Sequence, residues 1–204
     1  MSVANGVPSV AYHDLGTTSY VRTWSGQGNV NDPATWGAPT SFPGIGPEIT
    51  SAGGRLQVTD QKPGGSGDLE LRDLATGAAR TISTGTVGVG VVPIGHPDGT
   101  TSVVWKGAEG ITRGIWMRDR IPPTGPVRGA PTLISTEEGL FLTADATDDG
   151  GGVLVQDTVD RRILLSAFGT PIPTGRPGLG GQPGSGALPA DVAVACGKIQ
   201  LGPA

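Results

Sequence analysis

The sequence predicts an all-β chain built like a β-propeller, with about four blades of three to four antiparallel strands, forming either a small ring or an incomplete propeller. Three observations carry that expectation. Glycine and proline are abundant, at 36 and 18 of 204 residues, and they disfavour helix interiors by about 1 and 3 kcal/mol each. Val, Leu, Ile and Phe still number 46, above the floor of roughly 20 % below which a chain stays unfolded. Short β-type segments recur at a fixed internal spacing, the mark of a repeat architecture.

The first segment of each unit is Ser9-Val10-Ala11-Tyr12-His13-Asp14, Leu56-Gln57-Val58-Thr59-Asp60, Ser102-Val103-Val104-Trp105-Lys106 and Leu140-Phe141-Leu142-Thr143-Ala144-Asp145. The second is Tyr20-Val21-Arg22-Thr23-Trp24, Leu69-Glu70-Leu71-Arg72-Asp73, Ile115-Trp116-Met117-Arg118-Asp119 and Val153-Leu154-Val155-Gln156-Asp157. Val58 to Arg72, Val104 to Arg118 and Leu142 to Gln156 all stand the same distance apart, whereas Tyr12 to Arg22 is shorter and predicts a shorter hairpin loop. Alternation in Leu69-Glu70-Leu71-Arg72 suits a strand. The Gly-rich runs after Lys62 and Asp148 suit hairpins, because glycine reaches positive φ without penalty. Third segments follow at Thr35–Pro39, Ala79–Ile82, Ala130–Ile134 and Arg162–Leu165. Three or four strands every 40 to 46 residues is blade spacing.

Only Ser2-Val3-Ala4-Asn5 precedes the first repeated strand, so the chain is expected to begin inside a blade. Asp191–Cys196 reads as a further strand that could complete that blade and close the ring, or start a blade that is absent. The expected organisation is a repeat domain over 1–170, a Gly/Pro-rich linker or long loop over 171–189, and a closing strand and tail over 190–204.

Charge and cysteine set outer bounds. The formal net charge is −4 and the arginines are scattered, so the concentrated basic face of a nucleic-acid binder is missing. No apolar run approaches the ~20 residues of a membrane span. A lone cysteine, Cys196, excludes an intrachain disulfide and reads as a small apolar residue. Residues 1–20 lack the basic start and continuous apolar stretch of a signal peptide.

The repeats resemble known families. Asn5-Gly6-Val7-Pro8-Ser9-Val10-Ala11-Tyr12-His13-Asp14, Tyr20-Val21-Arg22 and Thr35-Trp36-Gly37-Ala38-Pro39 look like a sialidase-like (BNR-type) propeller repeat, over about one blade. Asp68-Leu69-Glu70-Leu71-Arg72-Asp73-Leu74-Ala75-Thr76-Gly77 and His96-Pro97-Asp98-Gly99-Thr100 resemble the TolB-like or WD40-like repeat, with His96 where serine is usual. Both resemblances imply a propeller and neither implies one activity. They also imply a bacterial protein with an extracytoplasmic or secreted address.

Candidate chemistry is sparse. The sialidase resemblance would require an arginine triad and a Tyr–Glu pair, but the only tyrosines, Tyr12 and Tyr20, lie in repeat strands. Arg22, Arg72 and Arg118 hold equivalent repeat positions, which reads as a structural ladder more readily than as a clamp. Glu48, Glu70, Glu109, Glu137 and Glu138 could supply paired carboxylates, and nothing singles out two of them. Asp73, Asp119 and Asp157 close second strands and are expected to accept backbone N–H bonds in the next turn. Asp145, Thr147 and Asp149 echo the start of a calcium loop, but Gln156 stands at the twelfth position where that loop needs a bidentate Glu; no cofactor is expected.

Trp24, Trp36, Trp105 and Trp116 lie in or beside blade strands, where packing between blades is the plainer reading. Rim aromatics can also stack on sugars. The ligand-binding candidates are therefore Trp24, Trp36, Arg22, Arg118 and Trp116. The functional expectation is a non-catalytic scaffold for a protein partner. The alternatives are a glycan-binding, lectin-like module and a sialidase-like hydrolase.

Overall fold

A computed structural model describes residues 1–64, 67–85, 87–136, 142–146, 152–159, 162–169, 192–195 and 198–201. The first sheet comprises β1 (Ser2–Ala4), β2 (Val7–His13), β3 (Thr18–Thr23) and β4 (Thr40–Pro43). The second comprises β5 (Ile45–Ala52), β6 (Arg55–Gln61), β7 (Leu69–Asp73) and β8 (Ala79–Ser83). The third comprises β9 (Val87–Gly95), β10 (Thr101–Glu109), β11 (Thr112–Ile121) and β12 (Thr132–Ser135). The fourth comprises β13 (Leu142–Ala146), β14 (Gly152–Val159) and β15 (Arg162–Gly169), and β16 (Val192–Ala195) pairs with β17 (Lys198–Leu201). Each sheet runs in sequence order and every pairing is antiparallel. The fold is all-β and propeller-like, consistent with an incomplete propeller.

Successive sheets pack face to face through apolar clusters. Val21 and Phe42 of the first sheet meet Ile49 and Val58 of the second. Leu69, Leu71 and Ile82 of the second meet Val103, Trp105, Trp116 and Ile121 of the third. Ile94, Val104, Ile115, Met117 and Ile134 of the third receive Leu142 and Ala144 of the fourth. Alternation produces this arrangement: odd and even positions of one strand serve different neighbours, so Val103 and Val104 enter different clusters. In the third sheet both faces are covered, and the continuous run Val103-Val104-Trp105 follows from that.

Turns joining the first two strands of the first three sheets tie those sheets together. The Asn5 amide Nδ2–H donates to the Gly54 carbonyl at 3.1 Å, and the Gly53 N–H donates to the His96 carbonyl at 3.0 Å. Gly53 has φ +54°, and a Cβ there would lie 2.9 Å from the Gly99 Cα.

Several expectations need correction. Ser2–Ala4 is itself the first strand, so the first sheet already has four strands of its own. Val192–Ala195 takes Lys198–Leu201 as its partner rather than β2. Thr35–Pro39 is not a strand: Asp32 accepts from the Ala34 N–H and caps a 3-10 turn over Pro33–Thr35, only Trp36 bridges back to Trp24, and the strand comes later as β4. Val58 and Arg72 are direct cross-strand partners, but Val104 and Leu142 face Met117 and Asp157, one residue off the repeat spacing. In the third sheet the expected gap is strand instead. There β10 and β11 extend to a two-residue turn at Gly110-Ile111. The first hairpin has four residues between His13 and Thr18, shorter than the second sheet's connection from Gln61 to Leu69 but longer than the third sheet's turn. The expectation of a shorter loop therefore holds against the second sheet and fails against the third.

Candidate functional site

The first sheet presents two surfaces, and the register decides which residues reach each. Ser9, Val21 and Thr23 point toward the second sheet. Val3 faces Pro8, Val10 faces Arg22, and Tyr12 faces Tyr20, all on the opposite side. Trp24 continues that side, since its N–H donates to the Pro8 carbonyl at 3.0 Å.

On this outward side Tyr12 and Tyr20 stack, with ring centroids 5.3 Å apart and planes 16° from parallel. The Tyr20 hydroxyl donates to Asp14 Oδ2 at 3.3 Å. Asp14 also accepts from the Gly16 N–H, which is the main reason its carboxyl sits below its ordinary value. Arg22 Nε–H donates to the Gly37 carbonyl at 2.9 Å, and its Nη2 reaches the Trp36 and Pro33 carbonyls at 2.9 and 3.1 Å. The half-buried Trp36 donates from Nε1 to the Val30 carbonyl at 2.9 Å. Arg22, Trp24 and Trp36 are thus brought together.

Arg118 and Trp116 do not join them. They sit in the third sheet, where Trp116 is 9 % exposed within the cluster shared with the second sheet. The arginines do share a ladder position, because Val10–Arg22, Val58–Arg72 and Val103–Arg118 are cross-strand pairs. Each guanidinium holds carbonyls of the connection that follows its strand: Gly37 for Arg22, Gly77 for Arg72, and Gly129 for Arg118. Five fixed donors suit an arginine to fastening loop backbone in this way.

The inward side opens on a cleft of about 560 Å³ between the first and second sheets. Val7, Val21, Ala38, Leu56, Leu74 and Ala75 give it an apolar lining, and Arg55 supplies a charged edge. Arg55 Nη2 is held at 2.6 Å by Asp73 Oδ2, while Asp73 Oδ1 accepts from the Thr76 N–H at 3.0 Å. The turn role expected of Asp73 is therefore present, together with an ion pair across strands.

Sequence reasoning missed two buried polar groups. Asp60 is 1 % exposed, and neither carboxylate oxygen has a hydrogen-bond partner among the described residues. Burial raises its pKa to about 7, with Glu70 adding to the rise and Arg72 opposing it. A Cβ on Gly44 would collide with its Oδ2, so a larger residue there would force the Asp60 side chain to shift. The signal was available: Asp60 stands two residues beyond Val58, on the face where an apolar residue is due. The second group is a chain of contacts from His96 Nε2 to Ser102 Oγ at 2.7 Å, and from that hydroxyl to Asp119 Oδ1 at 2.5 Å. The Arg120 N–H also reaches Ser102 Oγ at 3.2 Å. Burial, then the Arg120 charge, lowers the His96 pKa. The neutral ring donates through Nε2–H, because the serine proton is committed to Asp119. These contacts fix the Ser102 hydroxyl, fastening the β9–β10 turn to the end of β11. Asp119 accepts this hydroxyl where a turn N–H was expected.

Among the described residues no group of three or more His, Cys, Asp or Glu is placed to hold a metal ion. Thr147 and Asp149 of the calcium echo lie outside the described residues, as do the side chains of Asp145 and Asp157, the 171–189 tract and Cys196. No helix among the described residues is long and apolar enough to cross a membrane.

No family model and no curated protein matches the sequence. Solved structures do match, among them TolB from Acinetobacter baumannii at 14 % identity with a TM-score of 0.49. The match covers 80 % of this chain and 38 % of that one, so the chain spans well under half the length of that protein.

Proposed function

We propose that this chain is a non-catalytic propeller module that serves as a scaffold for a protein partner, and that an extended segment of the partner enters the cleft between the first and second sheets. One observation carries the reading: an open, mainly apolar cleft of about 560 Å³ lies between two sheets already locked to each other. A site built on rigid elements spares a partner much of the ordering cost of binding. Its apolar walls favour aliphatic side chains, and Arg55 at the edge supports orientation by a carbonyl or carboxylate.

Ala38 and Ala75 are exposed lining residues, so Ala38→Trp and Ala75→Arg fill or block the cleft without disturbing the core. Selection from a random peptide library should yield aliphatic-rich binders. Either substitution should weaken them by about 30-fold, the size of a lost hot spot of ~2 kcal/mol. Binders indifferent to both changes would remove the cleft from the account. Glycan-array binding that disappears in Trp24→Ala or Trp36→Ala would replace the protein partner by a sugar.

A further inference from the structure

The outward face of the first sheet has counterparts in the second and third. Starting from the shared Val–Arg pair, the next ladder pair on the same face is Tyr12–Tyr20 in the first sheet, Asp60–Glu70 in the second and Trp105–Trp116 in the third. In the second and third sheets the preceding sheet covers this face. Val58 packs with Val21 and Phe42, and the Arg72 guanidinium lies 4.8 Å above the Phe42 ring. Val103, Trp105 and Trp116 pack with Leu69, Leu71 and Ile82, and Arg118 Nε–H donates to the Ile82 carbonyl.

Among the described residues no sheet packs on the first sheet's version of this face. Its side chains are nevertheless those of a covered one. Val3 is 53 % and Tyr12 41 % exposed, and Val10 and the stacked Tyr20 lie beside them. At the other end of the series, the fourth sheet packs on the third through Leu142 and Ala144.

We propose that a second copy of this chain covers the face, with the fourth sheet of each copy seated on the first sheet of the other. Among the described residues, each of the three interfaces between sheets joins the onward face of one sheet to the receiving face of the next, and none joins two receiving faces. Pairing the two first sheets with each other would break that rule, whereas pairing first with fourth repeats it. Used twice about a two-fold axis, the pairing is self-complementary and closes. The eight three- and four-stranded sheets of the dimer, leaving aside the β16–β17 pairs, then form a ring within the propeller range of four to eight blades.

Light scattering and sedimentation equilibrium on the full chain, from about 1 to 100 μM, should give the mass of two chains. Tyr12→Arg and Val3→Asp, both at exposed positions, should each weaken the dimer by about 30-fold or more. Ile111→Arg, on the fully exposed β10–β11 turn, should leave the mass unchanged. Thermal melts at a concentration where all variants are monomeric confirm that each remains folded. Amide exchange in 142–169 should be slower in wild type than in Tyr12→Arg. A wild-type chain that stays monomeric at 100 μM overturns the proposal, whether or not a blade from another protein binds the face. A dimer indifferent to both substitutions overturns it too, as does one in which only the first sheet gains protection.

Discussion

The first and third sheets place aromatic pairs at the same ladder position, yet the surroundings of those pairs differ. Trp105 and Trp116 are enclosed by Leu69, Leu71 and Ile82, whereas the rings of Tyr12 and Tyr20 cover one another and Tyr12 remains 41 % exposed. The difference teaches that one repeat position has no fixed role. Whether it acts as core or as exposed surface depends on what stands in front of it. The residue types follow suit: tryptophan brings the larger buried area to the covered site, and tyrosine brings a hydroxyl that can face water or Asp14.

The sharpest way to break this comparison is truncation. Trp105→Ala should cost about 4 kcal/mol, because it empties a fully buried site. Tyr12→Ala in the monomer should cost less than about 1 kcal/mol. Denaturant midpoints measured below the dimerisation range decide it, and equal losses would mean that the two faces are not differently covered.

The same contrast can be sought at the turns. Gly53→Ala should cost about 3 kcal/mol, since it adds a collision with the Gly99 backbone to the strain of a positive φ. Gly6→Ala, also at positive φ but with open space around it, should cost only about 1 kcal/mol. A thermal melt that ranks Gly6→Ala as the worse change would undo the picture of turns locked between sheets.

The second sheet sharpens the comparison through pH. It sets Asp60 where its neighbours place aromatics, and the buried carboxyl titrates near 7 against an ordinary value of 3.8. A raised carboxylate pKa means that the fold binds a proton the unfolded chain has released. Its contribution is therefore full below about pH 4 and is lost as the pH rises through 7. Asp60→Asn should stabilise the chain by about 2 kcal/mol at pH 8, with little change near pH 4. Melts at the two pH values that move together would show that Asp60 is not the titrating group.

Much of the frame could be read from the chain. The Val58–Arg72 spacing is a true cross-strand pair, and the equivalent arginines are fastened in equivalent ways. The opening strands of the second and third sheets, Ile45–Ala52 and Val87–Gly95, carry no strand expectation, because glycine and proline interrupt them and hide the alternation. Their glycines answer to close approach: a Cβ on Gly95 would collide with the Ser51 carbonyl of the neighbouring sheet. Pattern also could not separate the two aromatic pairs. Trp116 and Trp24 look alike along the sequence, and only the stacking order of the sheets buries one in a core and places the other on an outward face. The Ser102 network was hidden for a related reason, since His96, Ser102 and Asp119 lie on three segments that alternation treats independently.

The sequential strand order within each sheet has a kinetic consequence. Every sheet is complete once its own contiguous stretch has been made, and each later sheet finds a finished surface waiting for it. Few long loops need closing before contacts form, which favours rapid growth from one end. A chain emerging from the ribosome could thus assemble as it appears, with Asn5 bonding to Gly54 before the residues that follow the third sheet have been synthesised.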